Sequence, residues 1–141
     1  TTEIYIFPYT TLFRSGMDLV RKLLKGKNLS QDDLIPILIL AIGSMGNKVL
    51  KSEVDGKMYE LLKKEFSDPV YHEKVANNVP RWKHDVAWAK ERAKQHHGYV
   101  KSAEQSGRGI WELTSEGMEY LEYLKKKLQR TFVTRKNQIV E

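Results

Sequence analysis

The 141-residue sequence contains no cysteine, so its fold does not depend on disulfides or on thiolate metal ligands. Small secreted domains often need disulfides, and their absence favours a reducing, cytoplasmic compartment. The longest apolar run, residues 34–42, contains Pro36 and is far shorter than the roughly 18 residues of a membrane span. No basic start with an apolar run and a small-residue cleavage site marks a signal peptide. The length suffices for one domain with one core.

Catalytic and metal-binding patterns are also missing. The sequence has four histidines, of which His96 and His97 are adjacent and cannot both face one ion from a regular helix. There is no nucleophile elbow, and the glycines at 43 and 46 lack phosphate-loop spacing. No Asp followed by a Glu-x-Lys strand supplies the metal-dependent site of a nuclease. We therefore expect no enzyme, no metal site and no cofactor in this chain.

The first fifteen residues have an unusual character. Residues 7–15 match the translation of a widely used short-read sequencing adapter, and residues 1–5 match its upstream part in another frame. A one-base slip at Ile6 would join the two frames. We interpret residues 1–15 as adapter carry-over in a prokaryotic metagenomic assembly, although their β-type composition would otherwise suggest a strand. The native chain then starts near Met17 or has lost its true N-terminus.

The positive charge is concentrated in one stretch. The chain carries 24 basic and 18 acidic side chains, a formal net charge of +6. Residues 81–108 hold seven basic and three acidic side chains, which gives +4 of that excess. A localised basic surface suits a phosphate backbone, and a solvated basic surface without a ligand is the alternative.

Helical and strand signals predict one domain over residues 16–128, followed by a polar tail at 129–141. Apolar residues at helical spacing predict helices at 17–25, 34–42, 53–66, 80–96 and 116–128. The expected N-caps are Ser30, Ser52, Asn78 and, for the last helix, Thr114 or Ser115. A short extended piece is expected at 48–51, and strands at 99–103 and 108–113 are expected to flank a turn at 104–107.

The later helices each have an apolar face that we expect to be buried. The three faces are Val54, Met58, Leu61, Leu62 and Phe66, then Trp82, Val86, Ala89 and Ala93, and last Met118, Leu121, Leu124 and Leu128. Trp88 and Trp111 are also expected in the core. The final helix is expected to close the domain, and a homodimer through its apolar stripe is the alternative.

The order of helix, short strand, helix, helix and hairpin predicts a winged helix-turn-helix, mainly α with a small β-hairpin. In that plan, helix 80–96 enters the major groove of duplex DNA, and the wing at 99–113 reaches the backbone or the minor groove. Basic and polar residues on these two elements are candidate contacts. The candidate DNA-binding residues are Arg81, Lys83, His84, Lys90, Lys94, Lys101, Gln105, Ser106 and Arg108.

Three segments carry a family resemblance: DVAWA at 85–89, GYV at 98–100 and GRGIWELTSEG at 107–117. The chain resembles the N-terminal domain of Mrr-type restriction endonucleases over about residues 34–124. That family typically shows a V-x-W-A helix and a wing ending in R-G-x-W-x-L-T-x-x-G. The resemblance implies a winged-helix fold and the recognition of target DNA, often modified, for an attached nuclease in a restriction system.

The sequence also departs from the family. Asp85 stands where the family often has Arg, and the spacing from Trp88 to Gly98 is one residue longer than usual. No nuclease motif follows the wing, so the chain is either a fragment or a stand-alone DNA-binding protein. A protein-interaction or dimerisation winged helix without direct DNA contact is the alternative function.

Overall fold

The computed structural model describes residues 20–21, 23–26 and 29–140, with side chains to residue 127. The adapter-like segment 1–15 and the start of the predicted helix 17–25 lie outside the described residues. Val20 from that helix is buried, and Leu24 packs against the core. Across the described part of the chain, the fold is mainly helical with two small antiparallel sheets.

Helix α1, Ile35–Ser44, is the centre of the core. Six of its ten residues are buried: Ile35, Ile37, Leu38, Ile39, Ala41 and Ile42. The predicted Ser30 N-cap is wrong for this helix, whose N-cap is Leu34. Ser30 and Asp33 instead exchange side chain-to-backbone hydrogen bonds of 2.9 and 3.1 Å in the turn before it. The turn that they fix precedes the regular helix, which begins at Ile35. A helix buried on most sides explains the nearly unbroken apolar sequence.

Strand β1, Lys48–Leu50, confirms the predicted extended piece. Helix α2, Lys51–Leu61, follows at once, and its N-cap is Leu50, so the predicted Ser52 cap is wrong. The first amide of α2, on Lys51, instead donates to the Gly109 carbonyl at 2.8 Å, which satisfies a free helix-end donor from another part of the chain. The predicted burial of Val54, Met58, Leu61, Leu62 and Phe66 is confirmed. The helix ends at Leu61, however, so Phe66 is buried from the 3₁₀ turn that follows it.

Short turns and a small hairpin connect α2 to the next helix. The 3₁₀ turns Glu65–Ser67 and Pro69–His72 lead into strand β2, Lys74–Val75, which pairs with β3, Val79–Pro80, around the turn Ala76–Asn78. The proposed cap Asn78 lies in that turn, and Pro80 is the N-cap residue of the helix that follows.

Helix α3, Arg81–Arg92, continues as a π-helical turn, Ala93–His97, and stops at Gly98 in the left-handed conformation. Its predicted inner face is confirmed. Val86, Ala89 and Ala93 are fully buried, and Trp82 packs against Tyr59 and Phe66 with ring centroids 4.9 and 5.7 Å apart.

The predicted hairpin forms only in part. Strand β4, Ile110–Glu112, pairs antiparallel with β1, with Trp111 opposite Val49. The expected strand at 99–103 is reduced to a single bridge between Val100 and Leu113, and the expected turn is a one-turn helix, α4, Ala103–Ser106. Ser102 and Gln105 form a capping box, and this local preference for a helical turn displaces the strand.

The last helix, α5, Ser115–Val140, packs on α1 and is longer than predicted. The segment 118–140 contains no glycine or proline, so the helix includes most of the expected polar tail. The Thr114 hydroxyl accepts a 3.0 Å hydrogen bond from the Gly117 amide, which confirms Thr114 as the cap. Leu121 and Leu124 are buried as predicted, but Met118 is 42% exposed, so its predicted burial is wrong. The Leu128 side chain is outside the described set.

A stack of aromatic rings joins α5 to the end of α3. Tyr99 lies between His97 and Tyr120, with centroids 5.0 and 4.5 Å apart and rings within 12° of parallel. Tyr123 extends the stack, 6.0 Å from Tyr120. The stack therefore holds the segment between α3 and the wing against the final helix.

Gly117 is required by the close approach of two backbones. A Cβ at this position would overlap the Tyr99 carbonyl oxygen. We expect Gly117→Ala to lower the free energy of unfolding by about 3 kcal/mol in urea denaturation, because backbone on both sides would have to move. The matched control is Gly56→Ala on α2, where no atom lies within 4 Å of the new Cβ. It should raise stability by about 0.5–1 kcal/mol. Equal stability of Gly117→Ala and the parent chain would contradict the packing.

Burial, together with Tyr99 and Tyr123, raises the pKa of Tyr120 to about 12. A tyrosine in the unfolded chain ionises near pH 10, roughly, so the folded state holds this proton more tightly. The resulting stabilisation is complete below about pH 10 and is lost as the pH rises toward about 12. We expect Tyr120→Phe to lose stability less steeply over this range, as measured by urea unfolding at several alkaline pH values. Identical slopes for the two proteins would refute the pKa shift.

Candidate nucleic-acid interface

The outward side of α3 lies opposite Val86, Ala89 and Ala93. Two of its residues matter most: His84, which is half-buried, and Trp88, which is 49% exposed. The predicted core position of Trp88 is therefore wrong. Trp88 directly precedes the buried Ala89, but consecutive residues of an α-helix point in directions about 100° apart. Trp88 therefore lies outside the buried face.

Trp88 and His84 form a pair one helical turn apart. The indole Nε1 donates a hydrogen bond of 3.1 Å to His84 Nε2, and the ring centroids are 6.2 Å apart. Because Nε2 accepts, the proton of the neutral imidazole lies on Nδ1, which is 3.9 Å from the Asp85 carboxylate. Asp85 also accepts a 3.5 Å hydrogen bond from Gln31, so its carboxylate turns toward the loop before α1.

Arg81 is the first residue of α3. Its backbone amide donates to the Glu73 carbonyl at 2.9 Å, which fixes the helix start against the β2 hairpin. The side chain is half-buried, and its Nε is buried with no hydrogen-bond partner among the described residues. Burying a guanidinium nitrogen without a hydrogen-bond partner is costly.

Lys90 was predicted to face outward, and this prediction is wrong. The residue is only 8% exposed, and its Nζ lies 5.9 Å from the centroid of Trp111 and 3.5 Å from Glu91 Oε1. Trp111 of β4 packs against the side of α3 that carries Lys90. Helical periodicity alone could not predict this contact, because it comes from a distant segment. Lys90 therefore has a packing role and cannot reach a DNA phosphate freely.

Lys94 is half-buried and paired. Its Nζ lies 3.1 Å from Glu91 Oε2. Burial opposes ionisation of Glu91, but the hydrogen bonds and charges of Lys94 and Lys90 outweigh it and lower the pKa of the carboxyl. Glu91, which the sequence analysis did not include among the candidate site residues, thus partly neutralises both Lys90 and Lys94.

Three residues predicted to contact DNA from the wing, residues 99–113, instead form hydrogen bonds or an ion pair within that segment. Lys101 Nζ is 3.0 Å from Glu112 Oε2, and the Ser106 hydroxyl donates to Glu112 Oε1 at 3.0 Å. The Lys101 hydrogen bond is the main reason that the pKa of Glu112 lies below its usual value. The Gln105 side chain accepts from the Ser102 amide at 3.1 Å within the capping box. These bonds shape the wing and occupy the polar groups that were expected to meet DNA.

Arg108 is at the exposed tip of the wing. The flanking Gly107 and Gly109 have φ of +104° and +75°, conformations that favour glycine, so the tip is a tight turn. The Gly109 carbonyl accepts from the first amide of α2, which joins this tip to the start of that helix. Neither Arg108 nor Lys83 has an ion-pair partner among the residues for which side chains are described.

Trp111 connects the wing to helices α2 and α3. It is 5% exposed, and the ammonium groups of Lys51 and Lys90 lie 5.6 and 5.9 Å from its ring centroid. Lys51 is also 2.7 Å from the buried carboxylate of Asp55. The predicted core position of Trp111 is confirmed, and of the two lysines beside it Lys90 is buried while Lys51 remains partly exposed.

No protein-family model, curated protein or solved structure matches the chain. Within the described residues, no three His, Asp or Glu side chains converge as metal ligands. No described helix has the length and apolarity to cross a membrane.

The different environments of Trp88 and Trp111 give a direct test. Trp111→Ala should cost about 3–5 kcal/mol of unfolding free energy, because it empties a closed part of the core. Trp88→Ala should cost less than about 1 kcal/mol, since half of the side chain is already in water. Trp88→Ala should also remove most of the iodide-quenchable tryptophan fluorescence. Similar losses of stability in the two variants would contradict these placements.

Proposed function

We propose that this chain is a DNA-binding winged-helix module that recognises duplex DNA through α3 and the wing. The observed order α1, β1, α2, α3 and β4 supports this proposal, as does the pairing of β1 with β4 across the domain. In a winged helix, α2 and α3 are the helix pair, and the segment around Arg108 is the wing tip.

The observation that carries the proposal is the pair of available cations on these two elements. Lys83 is a half-buried residue in the first turn of α3, and Arg108 is the exposed residue at the tip of the loop that leads into β4. Both lack a described ion-pair partner, so their charge is available to phosphate. Arg81 adds a half-buried guanidinium at the start of α3.

The position of Asp85 removes one objection to this function. An acid on the groove-facing side of a recognition helix would repel phosphate. Asp85 instead lies between His84 and Gln31, toward the loop that precedes α1. The resemblance to Mrr-type N-terminal domains supports a role as the target-recognition part of a restriction system.

A second candidate function is protein interaction through α5. Met118 and Tyr123 on this helix are exposed by 42% and 53% and could contribute apolar area to a partner surface. The helix also continues to Val140. A homodimer through α5 would use this surface without contacting DNA. It predicts a dimer in light scattering that the Lys83→Ala and Arg108→Ala substitutions leave intact.

Binding to a fluorescent duplex of random sequence tests the proposed function. We expect steep salt dependence, with weaker binding of Lys83→Ala and Arg108→Ala and a salt slope lower by about one for each lost phosphate contact. Fluorescence anisotropy at low and moderate ionic strength measures both effects.

Two lysine variants serve as controls. Lys90→Met keeps the buried stem and should bind nearly as the parent chain does, because Lys90 faces Trp111. Lys63→Ala removes an exposed charge beyond the end of α2 and should have little effect. The absence of any duplex binding at low salt would refute DNA recognition. Unchanged binding of Lys83→Ala and Arg108→Ala would refute this interface.

A further inference from the structure

An exposed indole lies on the helix proposed to enter the major groove. Trp88 is 49% exposed near the middle of α3, one helical turn from His84. A half-exposed tryptophan on a helix is a common binding anchor, because it buries a large rigid area at little entropic cost. Its exposure has no packing explanation, since the buried stripe of α3 is complete without it.

The polar atom of this indole is already used. Nε1–H is the only hydrogen-bond donor on the ring, and it is bonded to His84 Nε2 at 3.1 Å. The bond also restricts the orientation of the ring on the helix surface. What Trp88 presents to a ligand is therefore an apolar surface in a defined orientation, with no free donor for a base edge.

The surroundings of Trp88 suit a small apolar group within a charged ligand. Ala87 adds a methyl group beside it, and Glu91 one turn further on is paired with Lys90 and Lys94. Lys83 and Arg81, in the first turn of the same helix, supply positive charge for a phosphate backbone. The apolar patch is thus next to cations, which fits DNA better than an apolar protein surface.

We propose that Trp88, with Ala87, contacts the C5-methyl group of thymine in the major groove. The inference rests on the proposed function. Among the groups that unmodified base pairs present in the major groove, the thymine methyl is the apolar one, while the others are hydrogen-bond donors and acceptors. An indole whose donor is engaged discriminates by apolar contact, so it favours A·T pairs at the position it faces.

The test removes the methyl group alone. The probes are two alternating duplexes of about 30 base pairs, one of dA and dT and the other of dA and dU. Each methyl group buried against Trp88 should favour the thymine duplex by about fourfold in Kd. Trp88→Ala should bind both duplexes equally, with circular dichroism and thermal unfolding used to show that the variant is folded.

Two controls separate this contact from general binding. Lys83→Ala should weaken binding to both duplexes and keep the preference for thymine, because a phosphate contact is independent of sequence. Val70→Ala shortens an exposed apolar side chain in the turn between α2 and β2 and should change neither. If the parent chain binds both duplexes with equal affinity, the methyl contact is refuted and the proposed function is not. The same conclusion follows if the preference for thymine persists in Trp88→Ala. Failure to bind either duplex would refute both.

Discussion

The burial of Trp111 is the interaction on which the geometry of the site depends. This residue is in the middle of β4, pairs across the sheet with Val49, and lies beside lysines from α2 and α3. The β1–β4 pairing joins segments about sixty residues apart and so incurs a large loss of chain entropy, which apolar burial must offset. Because the wing extends from β4, the orientation of Arg108 relative to the helices follows from this contact.

Charge in the basic stretch divides into two groups with different roles. Lys90, Lys94 and Lys101 are held by Glu91 and Glu112, and Arg92 donates two hydrogen bonds to Asp32, at 2.7 and 3.0 Å, which lowers the pKa of that carboxyl. These pairs fix the ends of α3 and the base of the wing. Lys83 and Arg108 remain outside such pairs among the described side chains. A net charge counted along the sequence therefore overstates the charge available to a ligand.

Local signals predicted the helices well and the wing less well. The capped turn at Ser30, the buried stripes of α2 and α3 and the end of α3 at Gly98 all follow from short-range periodicity and capping. The strand expected at 99–103 does not form, because the Ser102–Gln105 capping box favours a helical turn at its end. Of the candidate contacts, Lys90 was misplaced because β4 covers its flank of α3. Trp88 was missed because an aromatic residue beside a buried stripe is usually part of the core.

The sequence by itself determined which residues are basic, which segments are helical, and which helix faces are apolar, since these depend on neighbours within a few positions. Only the tertiary structure decided which cations remain available and which tryptophan is exposed. Those outcomes depend on contacts between distant segments: β4 against α3, Gly109 against the start of α2, and α5 against α1. Periodicity gives the side of the helix on which a residue lies, but its burial depends on which other segment packs against that side.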